Sequence, residues 1–427
     1  MVLAAFDLMP PRHQNKIAPM NPTAIRKSYL PNALLFGVAI LHPFSAHALG
    51  FRIPNQDAEA IGRGDAFAAT ADNPSAIYYN PAGITQLEGQ NLQFGVHALS
   101  ANSHYEAPNG NTAHTKFAVQ PVPELYYTQT LKDYPISFGL GIFIPYGLAL
   151  KWPEDSGFRT KAIEGSLTYV TINPVVAWKV CDELSLAAGP TIDYSQVMLR
   201  QGLFSPVPGG DEFRFKGSGT DFGFTCGIMW QPFEMWSFGG KYHSATSVNY
   251  EGTASTEGLG LGNSHSTARL PFAQFAAAGI SFRPTKKWNF EADVDWTDWD
   301  SMGTVTFKDT PLGNVPLPLN WKSSYLLEFG VTRYLENGYF VSGGNFFSQN
   351  STSENDFNPV LPDTDLHVGS LGFGHKGERW AWTIAAQFIT GPDRTVATST
   401  PSLIGESANG KYHWMNASLD FSVRYHF

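Results

Sequence analysis

The chain ends in the stretch ASLDFSVRYHF, residues 417–427, in which apolar and polar residues alternate without interruption. A period of two residues predicts a β-strand with one apolar face and one polar face. The apolar face ends in the aromatic residue Phe427, which is typical of the last strand of an outer-membrane barrel. A strand of a soluble β-sandwich shows the same alternation, so the rest of the chain has to decide between the two folds.

Similar segments occur throughout the chain. Residues 184–195 and 288–297 alternate in the same way, and Glu291, Asp293 and Asp295 all fall on one face of the second segment. Carboxylates on one face and apolar residues on the other suit a strand that separates a polar lumen from lipid. We predict fourteen strands, an even number as in bacterial barrels, near 91–101, 116–130, 135–150, 166–180, 184–200, 219–231, 236–250, 268–283, 288–302, 321–335, 339–349, 365–375, 380–390 and 415–427.

Connection lengths and composition favour the barrel over the sandwich. Short connections such as 181–183 alternate with long ones such as 391–414, as periplasmic turns alternate with outer loops. Charged residues make up 15% of the 427 residues and aromatic residues 14%. The mean hydropathy is −0.18, and the apolar stretch 33–41 is far shorter than the roughly 20 residues of a spanning helix. We therefore predict an all-β transmembrane barrel.

Residues 1–48 are predicted to form a signal peptide, with Met20 as an alternative start. A basic pair at 26–27 precedes a mostly apolar segment at 30–41, and a small-x-small pattern then ends at Ala48. Export would leave a chain more acidic than the net charge of −9 of the whole sequence, which argues against nucleic acid as a partner. The expected location is the outer membrane of a bacterial-type cell.

Residues 49–90 lack the alternation of the strands. Residues 58–71 are rich in good helix formers and predict a helix, and the run of Asn, Pro and Gly in 73–83 ends it. A segment of this length is too short to build its own core, yet it carries many apolar residues. We predict that it packs as a hatch inside the barrel of residues 91–427, with a periplasmic tail as the alternative.

The hatch carries the most specific motif of the chain, DNPSAIYYNPAGI at 72–84. This motif resembles the hatch of the FadL family, outer-membrane transporters of long-chain fatty acids whose relatives admit toluene, xylene and other hydrophobic compounds. The segments DWTDW at 295–299 and LPDTD at 361–365 resemble further family segments in the family's order. The resemblance extends along nearly all of the chain that follows the signal peptide.

The resemblance implies a monomeric barrel, closed by a hatch, that takes up a hydrophobic small molecule by diffusion without a cofactor. The ligand is expected to enter through an apolar groove between outer loops and to bind in the lumen near the mature N-terminus. It then leaves sideways into membrane lipid, through a gap at a kink in the third strand. The family's Asn-Pro-Ala segment, here Asn80, Pro81 and Ala82, adjoins this gap.

The residues of the third predicted strand themselves indicate a kink, at Pro145, Tyr146 and Gly147. Proline cannot donate to a β ladder and glycine weakens one. Unpaired backbone groups at membrane depth need another partner, and we expect the side-chain amide of Asn80 to supply it. An ordinary bulge at the barrel rim is the alternative explanation.

Apolar residues in two predicted outer loops are expected to form the groove. These residues are Leu203, Phe204, Phe213, Phe215, Leu259 and Leu261. Packing of the loops on themselves explains the same residues. Arg200 and Lys241 are the predicted partners of a carboxylate head group.

No catalytic residue, metal site or cofactor is predicted. The 12 histidines show no metal-ligand spacing along the sequence. Cys181 and Cys226 are consistent with a disulfide or with two free thiols. Two other functions stay open, namely a diffusion porin for small polar solutes and an outer-membrane lipid hydrolase, which needs a serine and a histidine on neighbouring strands.

Overall fold

The computed structural model describes residues 50–427, so the predicted signal peptide, residues 1–48, lies outside the described residues. The helical segments are α1 (Ala58–Ile61), α2 (Ala76–Tyr79) and three 3-10 helices at Pro81–Gln86, Trp299–Ser301 and Glu336–Gly338. None of the helices within 50–427 has the length and the apolar character needed to cross a membrane. The strands are β1 (Gln90–Ala101), β2 (Ser103–Glu106), β3 (Thr112–His114), β4 (Ala118–Thr130), β5 (Ile136–Lys151), β6 (Glu164–Lys179), β7 (Leu184–Gly202), β8 (Glu212–Phe233), β9 (Trp236–His243), β10 (Thr246–Glu257), β11 (Gly262–Phe272), β12 (Phe275–Thr285), β13 (Trp288–Thr297), β14 (Thr304–Thr310), β15 (Gly313–Pro318), β16 (Ser324–Tyr334), β17 (Tyr339–Ser348), β18 (Leu366–Lys376), β19 (Trp380–Thr390), β20 (Arg394–Val396) and β21 (Gly410–His426).

Antiparallel pairing joins these strands into a closed barrel of fourteen strands, which confirms the predicted fold class. The barrel strands that contain β9–β10, β11–β12, β13–β14 and β15–β16 are each divided in two, while β2, β3 and β20 extend the sheet. The ring closes where β1 pairs with β21, from Asn91 opposite His426 to Leu99 opposite Ser418. The third barrel strand along the chain is β5.

The predicted alternation separates the two faces of the barrel wall. In β21 the side chain of Leu419 is 61% exposed, whereas that of its neighbour Asp420 is 1% exposed. The same contrast holds in β13, where Val294 is exposed while Asp293 and Asp295 are buried. Apolar side chains thus cover the outside, and carboxylates point into the lumen, as a barrel in lipid requires.

Two strands extend further outward than the sequence pattern predicts. Phe213 and Phe215 were expected in an exposed loop, but they are buried side chains near the start of β8. Their strand continues because the pairing with β7 continues, up to Gly202 opposite Glu212. The loop prediction for Phe213 and Phe215 is therefore wrong, and the alternation of these residues around Arg214 was the signal that could have shown the strand.

The predicted helix 58–71 is wrong beyond Ile61. The backbone N–H groups of Phe67 and Ala68 each donate to Asp293 Oδ2 over 2.8 Å. The next two N–H groups, of residues 69–70, donate to Glu291 Oε1 over 2.7 and 3.1 Å. A helix would direct such groups to carbonyls four residues earlier, but charged acceptors on β13 form stronger bonds.

Close approach to the wall fixes the turn that follows α1. A Cβ atom on Gly330 would lie 2.2 Å from the carbonyl oxygen of Arg63, and one on Gly344 would lie 2.3 Å from its carbonyl carbon. The buried guanidinium of Arg63 pairs with Glu291, with 3.1 Å between Nη2 and Oε2. Residues 50–89 therefore pack inside the barrel, and β13, β16 and β17 hold their first half.

We predict that the double variant Glu291→Gln and Asp293→Asn keeps a folded barrel but loosens the segment 50–89. Each charge-assisted hydrogen bond that is lost contributes about 1.5–3 kcal/mol. The expected result is a higher ion conductance in planar bilayers than that of the unmodified protein. Glu336→Gln, in an exposed turn, is the matched control. Equal conductance of all three proteins would contradict docking through these carboxylates.

Candidate functional site

The barrel wall has a gap between β4 and β5. The two strands pair from Thr130 opposite Ser137 to Leu125 opposite Ile142. Within residues 50–427 the ladder between them ends at this second pair. The outer half of β5 continues with β6 alone, while the outer half of β4 pairs with β1. The two edges meet again at the outer end, where the N–H of Lys116 donates to the carbonyl of Lys151 over 3.1 Å.

The gap begins at an irregularity in β5. The register between β5 and β6 shifts between Phe143 and Tyr146, at the position where the sequence predicts a kink around Pro145. Beyond the kink the edge of β5 that faces β4 carries backbone groups without a strand partner. Such groups are costly at membrane depth unless another segment binds them.

The segment 51–56, which we call the latch, binds this edge from inside the lumen. Arg52 forms an antiparallel bridge with Tyr146. The N–H of Ile53 donates to the carbonyl of Pro145 over 2.8 Å, and the N–H of Gly147 donates to the carbonyl of Phe51 over 2.9 Å. The latch thus adds a short strand where β4 has turned away, which is the β-augmentation mode of recognition.

Gln56 completes the latch with its side chain. Its Nε2 donates to the carbonyl of Ile144 over 2.9 Å, and its Oε1 accepts from the N–H of the same residue over 3.3 Å. A side-chain amide carries the same donor and acceptor as a backbone unit, so it replaces one rung of the missing ladder. The edge of β5 from Ile144 to Gly147 is satisfied in this way.

The hydrogen-bonding role predicted for Asn80 is therefore wrong. Its Nδ2 donates to the carbonyls of Ala68 and Ile228 over 2.8 and 2.9 Å, so it ties the hatch to β8 rather than to β5. Its Oδ1 accepts from the N–H of Ala82, and Pro81 opens the 3-10 helix between them. Gln56 and Asn80 carry the same amide group, and nothing in the sequence spacing tells which one meets β5.

Arg52 holds the latch to the opposite wall. Its guanidinium donates to both carboxylate oxygens of Asp295, over 2.7 and 2.6 Å, and to Thr297 Oγ1 over 2.8 Å. The same group lies 3.8 Å from the centre of the Phe275 ring. All of these groups are buried, so removing one partner leaves an uncompensated charge inside the lumen.

An apolar cavity of about 70 Å³ lies on the outer side of the latch. The ring of Phe51 forms part of its lining, together with side chains from seven strands and two loops. Among the lining residues are Leu148, Leu167, Tyr250, Phe307 and Leu317. The cavity therefore connects the latch with the inner side of the outer loops.

A larger groove of about 520 Å³ lies between the outer loops and shares Leu317 with the cavity. Leu203 and Phe204 line this groove as the sequence suggests. Leu259 and Leu261 lie at the turn between β10 and β11, outside the residues that line it. The rings of Phe213 and Phe215 pack against Phe307 with centroids 5.8 and 4.9 Å apart, behind the groove and cavity.

Neither predicted head-group partner is open to a ligand. The Arg200 guanidinium is occupied by Glu212 at 2.6 Å and Glu164 at 2.8 Å. The Lys241 ammonium is buried, bonds to the Tyr78 carbonyl over 3.3 Å and borders a polar cavity of about 10 Å³. The sequence prediction missed Lys161, which is half-buried in the groove itself and donates to the Thr400 carbonyl over 2.8 Å.

Burial lowers the pKa of Lys161, which lies in the loop between β5 and β6, outside the membrane-spanning strands. Desolvation penalises its charged form, so an anionic partner in the groove would be favoured.

The two cysteines, Cys181 and Cys226, are free thiols.

The closed barrel, the segment packed within it and the apolar path to a latched gap define a plugged outer-membrane transport protein. Residues 40–427 match the family described as outer membrane protein transport protein (OMPP1/FadL/TodX). The chain belongs to this family, and its location is the outer membrane.

Known proteins support this assignment. An outer membrane protein of Neisseria meningitidis serogroup B is 30% identical over 154 residues, which are 33% of this chain and 31% of that protein. The long-chain fatty acid transport protein of Escherichia coli O6:H1 is 20% identical over 393 residues, 79% of this chain and 85% of that protein. The solved FadL homologue of Pseudomonas aeruginosa has a TM-score of 0.80 at 19% identity, over 89% of this chain and 100% of that chain, so the two share a fold.

We predict that Gln56→Leu destabilises the protein because it leaves both backbone groups of Ile144 without a partner. The expected loss in the free energy of unfolding is about 2 kcal/mol or more. It is measured as a lower midpoint in heat-modifiable gel mobility. Gln129→Leu, which removes a hydrogen bond within one strand to Tyr127, is the control. Equal midpoints for both variants would argue against the latch.

Proposed function

We propose that this barrel takes up hydrophobic compounds by passive diffusion, long-chain fatty acids in particular, and releases them sideways between β4 and β5. The observation that carries the proposal is the latch: a gap in the barrel wall is filled by residues 51–56 rather than by a strand of the barrel. A short segment can leave this edge without breaking the ladder between β5 and β6.

Capture begins in the groove between the outer loops. An apolar molecule gains about 25 cal/mol for each Å² of its surface that leaves water, and Leu203, Phe204 and Leu403 offer such a surface. A carboxylate head group would remain at the groove, where Lys161 supplies a positive charge. The acyl chain would point inward, past Leu317.

Passage to the gap requires the latch to move. The cavity beneath the groove has room for a few water-sized groups, so a long chain fits only if lining side chains shift. Phe51 is both a lining residue of this cavity and a backbone partner of Gly147. A ligand that displaces Phe51 therefore favours the state in which the latch has left β5.

Release occurs through the opened gap into membrane lipid. The ligand then reaches the bilayer without crossing water, and its own binding drives the change, so the proposed path uses neither ATP nor a cofactor. One chain contains the whole path, from the groove to the gap, so we propose a monomer as the working unit. In this proposal residues 1–48 act as a signal peptide, residues 49–90 form the hatch and residues 91–427 form the barrel.

The hatch also bears on the two functions that the sequence leaves open. A diffusion porin needs a water-filled lumen, whereas residues 50–89 occupy this lumen and bind its carboxylates. The relative from Escherichia coli is described as a transport protein, and we propose a transport role without catalysis. Hydrolysis of a lipid ester by the purified protein would instead support the hydrolase.

The proposed exit is tested by placing a large side chain at the kink of β5. We predict that Gly147→Arg lowers oleate uptake by cells that lack their own transporter, because the new side chain meets Ile53 of the latch. Asn80→Ala is expected to lower uptake as well, through the loss of the bonds that hold the hatch to β8. Gly303→Arg, where a side chain meets open space, is the control. Normal uptake by both test variants, with folded barrels, would contradict the proposed exit.

The ligand class is tested at the groove. We predict that Lys161→Met raises the apparent KM for oleate about tenfold, the effect of losing roughly 1.5 kcal/mol of charge-assisted binding, and leaves toluene uptake unchanged. Lys308→Met, at an exposed position on β14, is the control. A loss of toluene uptake in parallel would indicate a structural effect, and no loss of either would argue for an uncharged ligand.

A further inference from the structure

Three histidines form a row on the outer extension of the barrel. β2 pairs with β21 so that His104 lies opposite His413, and it pairs with β3 so that His104 also lies opposite His114. Residues in register on neighbouring strands point to the same face of a sheet. Tyr105 and Tyr412, which alternate with them, are buried on the other face, so the row of imidazoles faces outward.

The first two imidazoles already touch. Nδ1 of His104 lies 3.0 Å from Nδ1 of His114, and the ring centroids are 4.3 Å apart. Two nitrogens that share a tetrahedral Zn²⁺ with bonds of 2.0–2.1 Å are about 3.3 Å apart, so the pair needs little change to bind one ion. In the ion's absence, the same pair shares one N–H···N hydrogen bond.

The third imidazole, that of His413, makes the kind of hydrogen bond to a carboxylate that metal-binding histidines usually make. Nδ1 of His413 lies 2.8 Å from Oδ1 of Asp393. A carboxylate that accepts from one ring N–H leaves the lone pair of the other nitrogen, Nε2, available to a metal. This contact is independent of the contact between the other two histidines.

We propose that His104, His114 and His413 bind one divalent transition-metal ion of the Zn²⁺ class at the outer surface, with Asp393 as a positioning residue. Within residues 50–427 no group of three or more ligands is already assembled around one point, so the His413 ring turns toward the pair on binding. Its side chain is 43% exposed and that of Asp393 is 60% exposed, which leaves room for this rotation. Imidazole nitrogen is a preferred ligand of Zn²⁺, Cu²⁺ and Ni²⁺.

The charges around the row are mixed. Two residues along the same strands, Glu106 lies opposite Lys411. The Glu106 carboxylate favours a cation, and the Lys411 ammonium offsets this effect. Burial and the two neighbouring imidazoles lower the pKa of His104.

A bound ion would fasten the β2–β3 hairpin to β21. The buried side of this extension packs into the outer loops, where the Tyr105 ring lies 4.9 Å from the rings of both Phe158 and Tyr412. The sequence does not show the site because strand register brings the ligands together: His114 is 10 positions after His104, and His413 is more than 300 positions after it.

The test is calorimetric titration of the full chain in detergent with ZnCl₂ at pH 7.5. We expect one ion per chain, binding weakened at least tenfold by His104→Ala and by His413→Ala, and a smaller loss in Asp393→Asn. His265→Ala, at an exposed position on β11, should bind as the unmodified protein does. Because the row is on the surface, all variants should keep heat-modifiable gel mobility, and Zn²⁺ should raise the unfolding midpoint only where the row is intact.

Two results would overturn the proposal. One is that the unmodified protein binds no Zn²⁺ at pH 7.5. The other is that His104→Ala and His413→Ala bind as tightly as His265→Ala, which would place the ion elsewhere. Unchanged affinity in Asp393→Asn alone would remove the positioning role of that residue and contradict that part of the proposal.

Discussion

Backbone N–H and C=O groups at membrane depth must form hydrogen bonds, and at the edge of β5 no neighbouring strand of the barrel provides the partners. A closed ladder would leave no way through the wall, and an unfilled edge would be costly. The latch resolves the conflict, because Phe51, Ile53 and Gln56 form the hydrogen bonds that a neighbouring strand would otherwise form. The wall is therefore closed at this point by a segment that is not part of it.

The rest of the hatch depends on one strand of the opposite wall. Glu291, Asp293 and Asp295 alternate along β13 and all point inward, so one period-two pattern places a row of carboxylates in the lumen. Asp295 binds Arg52 of the latch, while the other two bind Arg63 and the N–H groups of residues 67–70. The same strand thus holds both the latch and the turn that follows α1. The ion pair of Arg52 with Asp295 is part of the latch, whereas the contacts of Glu291 and Asp293 do not involve residues 51–56.

The sequence predicts the barrel better than it predicts the site. Period-two alternation is a local property, so the fourteen strands and the inward carboxylates could be read from it. The contacts of the hatch are not local. The helix predicted for 58–71 ends early because side chains more than 200 residues away bind its N–H groups, and Gln56 rather than Asn80 meets β5 because of how the hatch folds. Phe213 and Phe215 lie in a strand because the pairing of β7 with β8 extends beyond the expected membrane limit.

A disulfide between the latch and β5 tests the central claim most directly. Arg52 and Tyr146 are bridge partners, so Arg52→Cys and Tyr146→Cys, in a chain with Cys181 and Cys226 replaced by serine, place two thiols across the gap. The measurement is oleate uptake by the same cells before and after reduction, with each single-cysteine variant as a control. If uptake requires the latch to leave β5, the oxidised chain is inactive and the reduced chain recovers. Equal uptake by a fully cross-linked chain and its reduced form would contradict release through this gap.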